Sequence, residues 1–115
     1  MSGLQSRDRP GTNPADFSAS LIENPALAHN LTVTGKAVGD YRISDVKLVR
    51  APHQNGSSRL VLDVTEKLGS ATNPHPDFIK EWPLEYKEDP AKHRYRHVEI
   101  VNGHQRFTIE VIDVL

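Results

Sequence analysis

The stretch KHRYRHVEIVNGHQRFTIEV, residues 92–111, places an Asn-Gly pair between two runs of alternating apolar and polar side chains. Alternation with a period of two is typical of a β-strand that buries one face. An Asn-Gly pair between two such runs favours a two-residue turn, because both central positions of that turn need a positive φ. The sequence therefore predicts a β-hairpin with Asn102-Gly103 at the turn and Val98 opposite Phe107.

The two faces of the predicted hairpin differ in polarity. One face is apolar and is expected to join the core, with Val98, Ile100, Phe107, Ile109 and Val111. The other face is expected to be solvated, with Tyr95, His97, Glu99, Arg106, Thr108 and Glu110. When the alternation is extended towards the N-terminus, Arg94 and Arg96 fall on the core side, near the open end of the strand.

Short alternating runs with turn signals roughly every ten residues fill the chain from Leu31 onwards. The apolar face changes sides between Ile43 and Val46, which predicts a β-bulge near Ser44-Asp45. This pattern predicts an all-β fold, either a small Ig-like β-sandwich or an open barrel, with five to six mostly antiparallel strands. The predicted core comprises Leu31, Val33, Ile43, Val46, Leu48, Leu60, Leu62, Val64, Trp82, Val98, Ile100, Phe107, Ile109 and Val111.

The first part of the chain predicts a tail and a helix. Residues 1–12 are polar and carry no periodicity, so we expect a disordered tail there and a single β-rich domain over 13–115. Asn13-Pro14 resembles a helix start, with an Asn cap and Pro at the first helical position. Phe17 and Leu21 share a face at i,i+4 spacing, so the sequence predicts one short helix over Pro14–Glu23.

The run after residue 77 predicts an edge strand. Trp82, Leu84 and Tyr86 alternate with polar residues, and Pro83 has no N–H to donate to a central ladder. A short helix over Asp77–Trp82 is the competing interpretation. An exposed edge strand can accept a strand from another protein.

The length, net charge and composition of the chain limit the classes of protein to which it can belong. The chain of 115 residues has the size of one domain, and its net charge of −1 argues against a nucleic-acid partner, which a basic protein would favour. It has no cysteine and no run of the ~20 apolar residues that a membrane helix needs. No signal peptide is visible, which indicates a cytoplasmic protein if the N-terminus is native. A mature exported or periplasmic chain, trimmed of its signal, would have the same appearance.

Charge is unevenly distributed along the second half of the chain. Residues 77–89 contain five acidic and two basic residues, whereas residues 92–106 contain four basic and one acidic residue. Segments adjacent in sequence are often neighbours in space, so we expect the two to neutralise each other within the domain. A bipolar surface that docks a partner is the alternative.

No motif for nucleophilic catalysis or phosphate binding occurs in the sequence, and no cofactor is expected. His75 and Asp77, with a later histidine, have the composition of a two-histidine, one-carboxylate metal site. His93 and His97 would lie ~13 Å apart along a strand, which is too far for one ion. A small-ligand or metal-dependent activity of the loops around His53, His75 and Asp77 is therefore the secondary hypothesis.

The primary hypothesis is a non-enzymatic domain that binds a protein partner, or a second copy of itself, through the edge strand. The partner-binding residues predicted for this role are Trp82, Leu84, Tyr86, Arg94 and Arg96.

Overall fold

The computed structural model describes residues 10–23, 29–40, 43–52, 59–69, 79–89, 91 and 93–114. Most of these residues lie in β-strands, and a single turn of 3-10 helix, Pro14–Asp16, is the only helical segment among them. The strands are β1 (Gly11–Thr12), β2 (Ser18–Glu23), β3 (His29–Asp40), β4 (Ile43–Arg50), β5 (Arg59–Leu68), β6 (Ile79–Glu88), β7 (His97–Asn102) and β8 (Gln105–Val114).

All eight strands belong to one curled, open sheet. Strand β3 is its longest member; β6 pairs with one edge of β3, so β1 and β2 lie end to end along the other edge. The order across the sheet continues from β2 through β8, β7 and β5 to β4. The β2–β8 and β5–β7 pairs are parallel and the other pairs are antiparallel. Among the described strands, β4 and β6 are the long ones that pair on one side only, and the two-residue β1 also pairs only with β3.

The all-β prediction is confirmed, and the curled sheet has the form of a half-barrel. An Ig-like sandwich is not confirmed. Eight strands are present where five to six were predicted, partly because residues 18–23 were assigned to a helix and Gly11–Thr12 to the tail. Both segments pair with β3 instead. Residues 1–9 lie outside the described residues, and the tail predicted there stays a prediction.

The predicted helix over Pro14–Glu23 is wrong beyond its first turn. The Asn13 side chain caps that turn by accepting from the N–H of Ala15 at 3.0 Å, as the cap signal indicated. From Ser18 the chain is extended and pairs with β3 and β8. Phe17 and Leu21 are four residues apart, a spacing that both a helix and a strand place on one face. Ala19, also buried, completes the period of two.

Strand β6 confirms the strand interpretation of its segment, and a helix over residues 79–82 is wrong. The bulge predicted near Ser44-Asp45 is confirmed by a register shift against β5 between Ile43 and Asp45. The shift allows Ile43 and Val46, three residues apart, both to be buried.

The C-terminal hairpin is confirmed, but its register differs from the prediction by two residues. Gly103 and His104 form the turn, with Gly103 at φ 62°, and Val98 lies opposite Ile109. A shift of two leaves every strand residue on its predicted face. Asn102 is absent from the turn because its side chain is buried and donates to the Pro10 carbonyl at 2.8 Å and to Thr12 Oγ1 at 3.1 Å.

The core fills the concave side of the curled sheet. The predicted core residues on β3 to β7 are buried, whereas Phe107, Ile109 and Val111 on β8 are half-buried. The predicted core did not include six hydrophobic residues that are also buried: Phe17, Ala19, Leu21, Ala37, Leu84 and Tyr95. Tyr95 was placed on the solvated face, but β7 begins only at His97, so the alternation does not extend back to it.

Candidate partner-binding site at the open side of the sheet

The open side of the half-barrel is bounded by β4 and β6. Strand β6 pairs with β3 along its whole length, from Ile79 opposite Asp40 to Glu88 opposite Leu31. Strand β4 pairs only with β5, and within the described ranges no ladder joins β4 to β6. Each strand therefore has one edge whose backbone N–H and C=O groups are not used by a ladder, and such groups are the template for pairing with another strand.

The two edges are tied together at one end by an ion pair. Arg50 is the last residue of β4 and Glu88 the last of β6, and Arg50 Nη1 lies 2.7 Å from Glu88 Oε2. The Glu88 side chain is 6% exposed and that of Arg50 is 27% exposed. A carboxylate at this depth is costly unless donors satisfy its oxygens. Because Arg50 is one of these donors, the ion pair holds the edges of β4 and β6 close together.

Two tyrosines complete the environment of Glu88. The Tyr86 hydroxyl donates to Glu88 Oε2 at 2.6 Å, and the Tyr95 hydroxyl donates to Oε1 at 2.9 Å. Arg50 Nη1 also donates to the Tyr95 oxygen at 3.1 Å. We call Arg50, Tyr86, Glu88 and Tyr95 the clasp, since it joins β4, β6 and the segment before β7.

The clasp changes the acid–base properties of its members. Burial, together with the bond to Glu88, raises the pKa of Tyr86 to about 12. Burial likewise raises the pKa of Tyr95. The hydrogen bond to Tyr95 is the main cause that raises the pKa of Arg50, against the opposing effect of burial. At neutral pH both hydroxyls therefore keep their protons and remain donors, which is a structural arrangement rather than a poised acid or base.

The opposite end of the open side contains two buried and two exposed apolar residues, and Lys80 Nζ lies over the Trp82 ring, 5.5 Å from its centroid. A Cβ built on Gly39 would lie 2.6 Å from Ile43 Cδ1 and 3.0 Å from Trp82 Cζ3, so the start of β4 lies beside Trp82 of β6. Leu68 pairs with Ile43, and Ile79 begins β6. Leu68 is 51% exposed and Ile79 is 69% exposed. We call this end, defined by Ile43, Leu68, Ile79 and Trp82, the apolar mouth.

The structure distributes the predicted partner-binding residues over three environments. Trp82 and Leu84 are 6% and 3% exposed and face the core, so only their backbone lies on the free edge of β6. Tyr86 belongs to the clasp. Arg94 and Arg96 are exposed and flank Tyr95, which joins them to β6 through Glu88.

Both arginines line a polar surface cavity of about 290 Å³ that also contains Glu110 and Asp113. Arg94 Nη2 lies 3.4 Å from Asp113 Oδ2, with both side chains about half exposed. Exposed pairs of this kind contribute little, ~0–1 kcal/mol. Since the cavity holds charges of both signs, its lining does not favour a ligand of one charge.

Among the described residues, the two charged segments that were predicted to neutralise each other form ion pairs with other strands or within one segment, not with each other. Glu81 lies 3.8 Å from Lys36 of β3, and Glu88 contacts Arg50 of β4. On the hairpin, Arg106 lies 2.9 Å from Glu99, within the same segment. The bond from Tyr95 to Glu88 does join the two segments, but it is a hydrogen bond that a neutral hydroxyl donates to the carboxylate.

The secondary hypothesis concerns residues that the structure does not describe. His53, His75 and Asp77 all lie outside the described ranges. Among the described residues there is no group of three or more metal-ligating side chains. These residues also contain no helix long and apolar enough to cross a membrane.

The sequence analysis missed the clasp, although a signal for it was present. Glu88 continues the alternation of Trp82, Leu84 and Tyr86 at an inward position, and Arg50 continues that of Val46 and Leu48. A charged residue at an inward position of each of two strands indicates a buried ion pair between them. That signal was not used.

No family model matches the chain, and no match was found among curated proteins or solved structures. What the open side can do therefore follows from its geometry alone.

Proposed function

We propose that the protein is a non-enzymatic binding domain that accepts a β-strand from a protein partner at its open side. The feature that supports the proposal is the pair of edges, β4 and β6, which no ladder joins within the described ranges. Added strands gain main-chain hydrogen bonds from such an edge and specificity from adjacent side-chain contacts. A second copy of the chain, pairing edge to edge, is the simplest partner.

Strand addition is proposed at the apolar mouth, where β4 and β6 would have to separate, because Ile43 and Trp82 both lie beside Gly39 there and the strands on either side of an added strand lie ~9–10 Å apart. The clasp occupies the other end of the open side, where Arg50 and Glu88 are in contact. At the mouth, Leu68 and Ile79 are both exposed, with Ile79 on the face of β6 opposite to Trp82 and Leu84. Pro83 removes one N–H from β6, which limits the length of continuous pairing on that strand and favours a short added segment.

The side chain of Ile79 provides a direct test. Burying an isoleucine contributes ~1.5–3 kcal/mol, so replacing it with a charged residue at the interface should weaken binding roughly tenfold to a hundredfold. Ile79→Lys is therefore compared with Ile112→Lys, an isoleucine that is 58% exposed on β8, a strand that pairs with β2 and β7 and is away from the open side. Both changes add the same charge to an exposed strand position.

Sedimentation over a wide range of protein concentration measures self-association directly. We expect Ile79→Lys to weaken the wild-type association and Ile112→Lys to leave it unchanged. If the wild-type protein stays a monomer at the highest concentration, self-association is excluded and the same pair of variants is used in a pull-down from the source organism. Equal capture by both variants would contradict the proposed site.

A further inference from the structure

We propose that Asn102–Gly103 is a site of spontaneous deamidation that the docked β1 strand keeps closed, and that its modification releases β1. Three features support the proposal: Asn102 is buried, two acceptors bind its side-chain amide, and a glycine follows Asn102 in the chain. This inference does not depend on the proposed function.

The chemistry needs only the chain and water. The backbone nitrogen of Gly103 attacks Cγ of Asn102, so that a new N–Cγ bond forms while the Cγ–Nδ2 bond breaks. The departing Nδ2 takes up the proton that the Gly103 nitrogen loses and leaves as ammonia, giving a cyclic imide. Water then opens either carbonyl of the imide to give aspartate or isoaspartate. Glycine at the second position favours the attack because it has no Cβ to hinder it.

The structure restrains the atom that must leave. Asn102 is 5% exposed, and its Nδ2 donates to the Pro10 carbonyl at 2.8 Å and to Thr12 Oγ1 at 3.1 Å. These contacts hold the amide against β1 and prevent Cγ from turning towards the next backbone nitrogen. The backbone of Asn102 is fixed as well, because it pairs with Gln105 in the β7–β8 ladder.

The side-chain amide of Asn102 is restrained only while β1 is docked on the sheet. Strand β1 has two residues, Gly11 and Thr12, and pairs with Val38 and Ala37 of β3. Its further contacts come from Gln105, whose Nε2 donates to the Thr12 carbonyl at 3.2 Å and whose Oε1 accepts from Thr12 Oγ1 at 2.7 Å. A strand this short opens locally more easily than the core strands do, and each opening frees Asn102.

Deamidation makes the opening permanent. An aspartate at position 102 has no N–H to offer, so its oxygens would face the Pro10 carbonyl oxygen without a proton between them. Two buried acceptors in contact are unfavourable. Isoaspartate also adds a carbon to the backbone within the β7–β8 ladder. Either product therefore undocks β1, so the site acts as an irreversible switch.

The rate test uses peptide mapping by mass spectrometry after incubation in mildly alkaline buffer. Asn102 in the folded wild-type protein should deamidate at least about tenfold more slowly than in the same protein in urea. Thr12→Val removes the hydroxyl that accepts from Asn102 and donates to Gln105, and it should speed the folded-state reaction by at least the roughly two- to tenfold that corresponds to one hydrogen bond. Thr108→Val is the matched control, because Thr108 is exposed on the same hairpin, and it should leave the rate unchanged.

The release of β1 is tested with Asn102→Asp, by hydrogen exchange of the amides that pair β1 with β3. We expect these amides to exchange faster in the variant while the β5–β7 amides keep their protection. Equal deamidation rates in folded and unfolded protein, or no acceleration by Thr12→Val, would overturn the protection by β1. Unchanged exchange at β1 in Asn102→Asp would overturn the switch.

Discussion

Removing the carboxylate of Glu88 should destabilise the domain strongly. The side chain is 6% exposed, and its two oxygens accept from Arg50, Tyr86 and Tyr95. Breaking a buried ion pair by deleting one partner costs ~3–5 kcal/mol, because the other charge loses its compensation. Arg50 is 27% exposed and gains some hydration in return. We therefore expect Glu88→Ala to lower the free energy of unfolding by about 3 kcal/mol, the lower end of that range.

The effect is large relative to the stability of a small domain, ~5–15 kcal/mol. With a urea m-value of ~1–3 kcal/mol/M, a loss of about 3 kcal/mol lowers the midpoint of urea unfolding by ~1–3 M. The assay is equilibrium unfolding followed by the fluorescence of Trp82, the only tryptophan in the chain and 6% exposed in the fold.

Glu85→Ala is the matched control. Glu85 lies on the same strand, but its side chain is 56% exposed and its ion pair with Lys87 is 3.8 Å long. Exposed pairs contribute ~0–1 kcal/mol, so this variant should unfold close to the wild type. A Glu88→Ala protein as stable as Glu85→Ala would refute the clasp as a stabilising link between β4 and β6.

Two further predictions concern the clasp and the packing of β2. The pKa of Tyr86 is raised from 10.0 to about 12, so the unfolded chain loses this proton first, and the free energy of unfolding should fall as the pH rises from 10 to 12. Urea unfolding at a series of pH values should show a smaller fall for Tyr86→Phe than for the wild type. An identical fall would contradict the assignment of this pKa to Tyr86. Gly35→Ala would place a Cβ 2.3 Å from the Phe17 ring, which packs edge-on against Phe107, and should cost ~1–3 kcal/mol in the same assay. Gly11→Ala, whose Cβ would meet only the Val38 carbonyl at 3.8 Å, should be nearly neutral, and equal losses in the two variants would contradict the packing.

The strand pattern was predictable where alternation and turn residues agree. The faces of β7 and β8 follow from a period of two alone, so they survived an error of two residues in register. The register itself depends on Asn102, whose amide bonds to residues about ninety positions away. No local pattern indicates a contact of that kind, and turn chemistry alone therefore favoured the wrong pair of turn residues.

The segment around Leu21 shows a different limit. Asn13-Pro14 is a real helix start, but only one turn follows it. The rest becomes a strand because β3 and β8 supply backbone partners on both sides. Tertiary pairing of this kind overrides local propensity. The edge character of β6 was predictable from Pro83, whereas the second edge, β4, depends on strand order, which alternation does not encode.

The central claim is that the open side accepts a β-strand, and amide hydrogen exchange along β4 and β6 tests it most directly. The free protein should show fast exchange at those amides of β4 and β6 that the β5 and β3 ladders leave unpaired. On self-association at high concentration, or on binding of a captured partner, these amides should become protected from the apolar mouth inwards, while the amides of β8 near Ile112 should not change. Protection confined to β8, or none at β4 and β6 in a complex that has formed, would contradict the account.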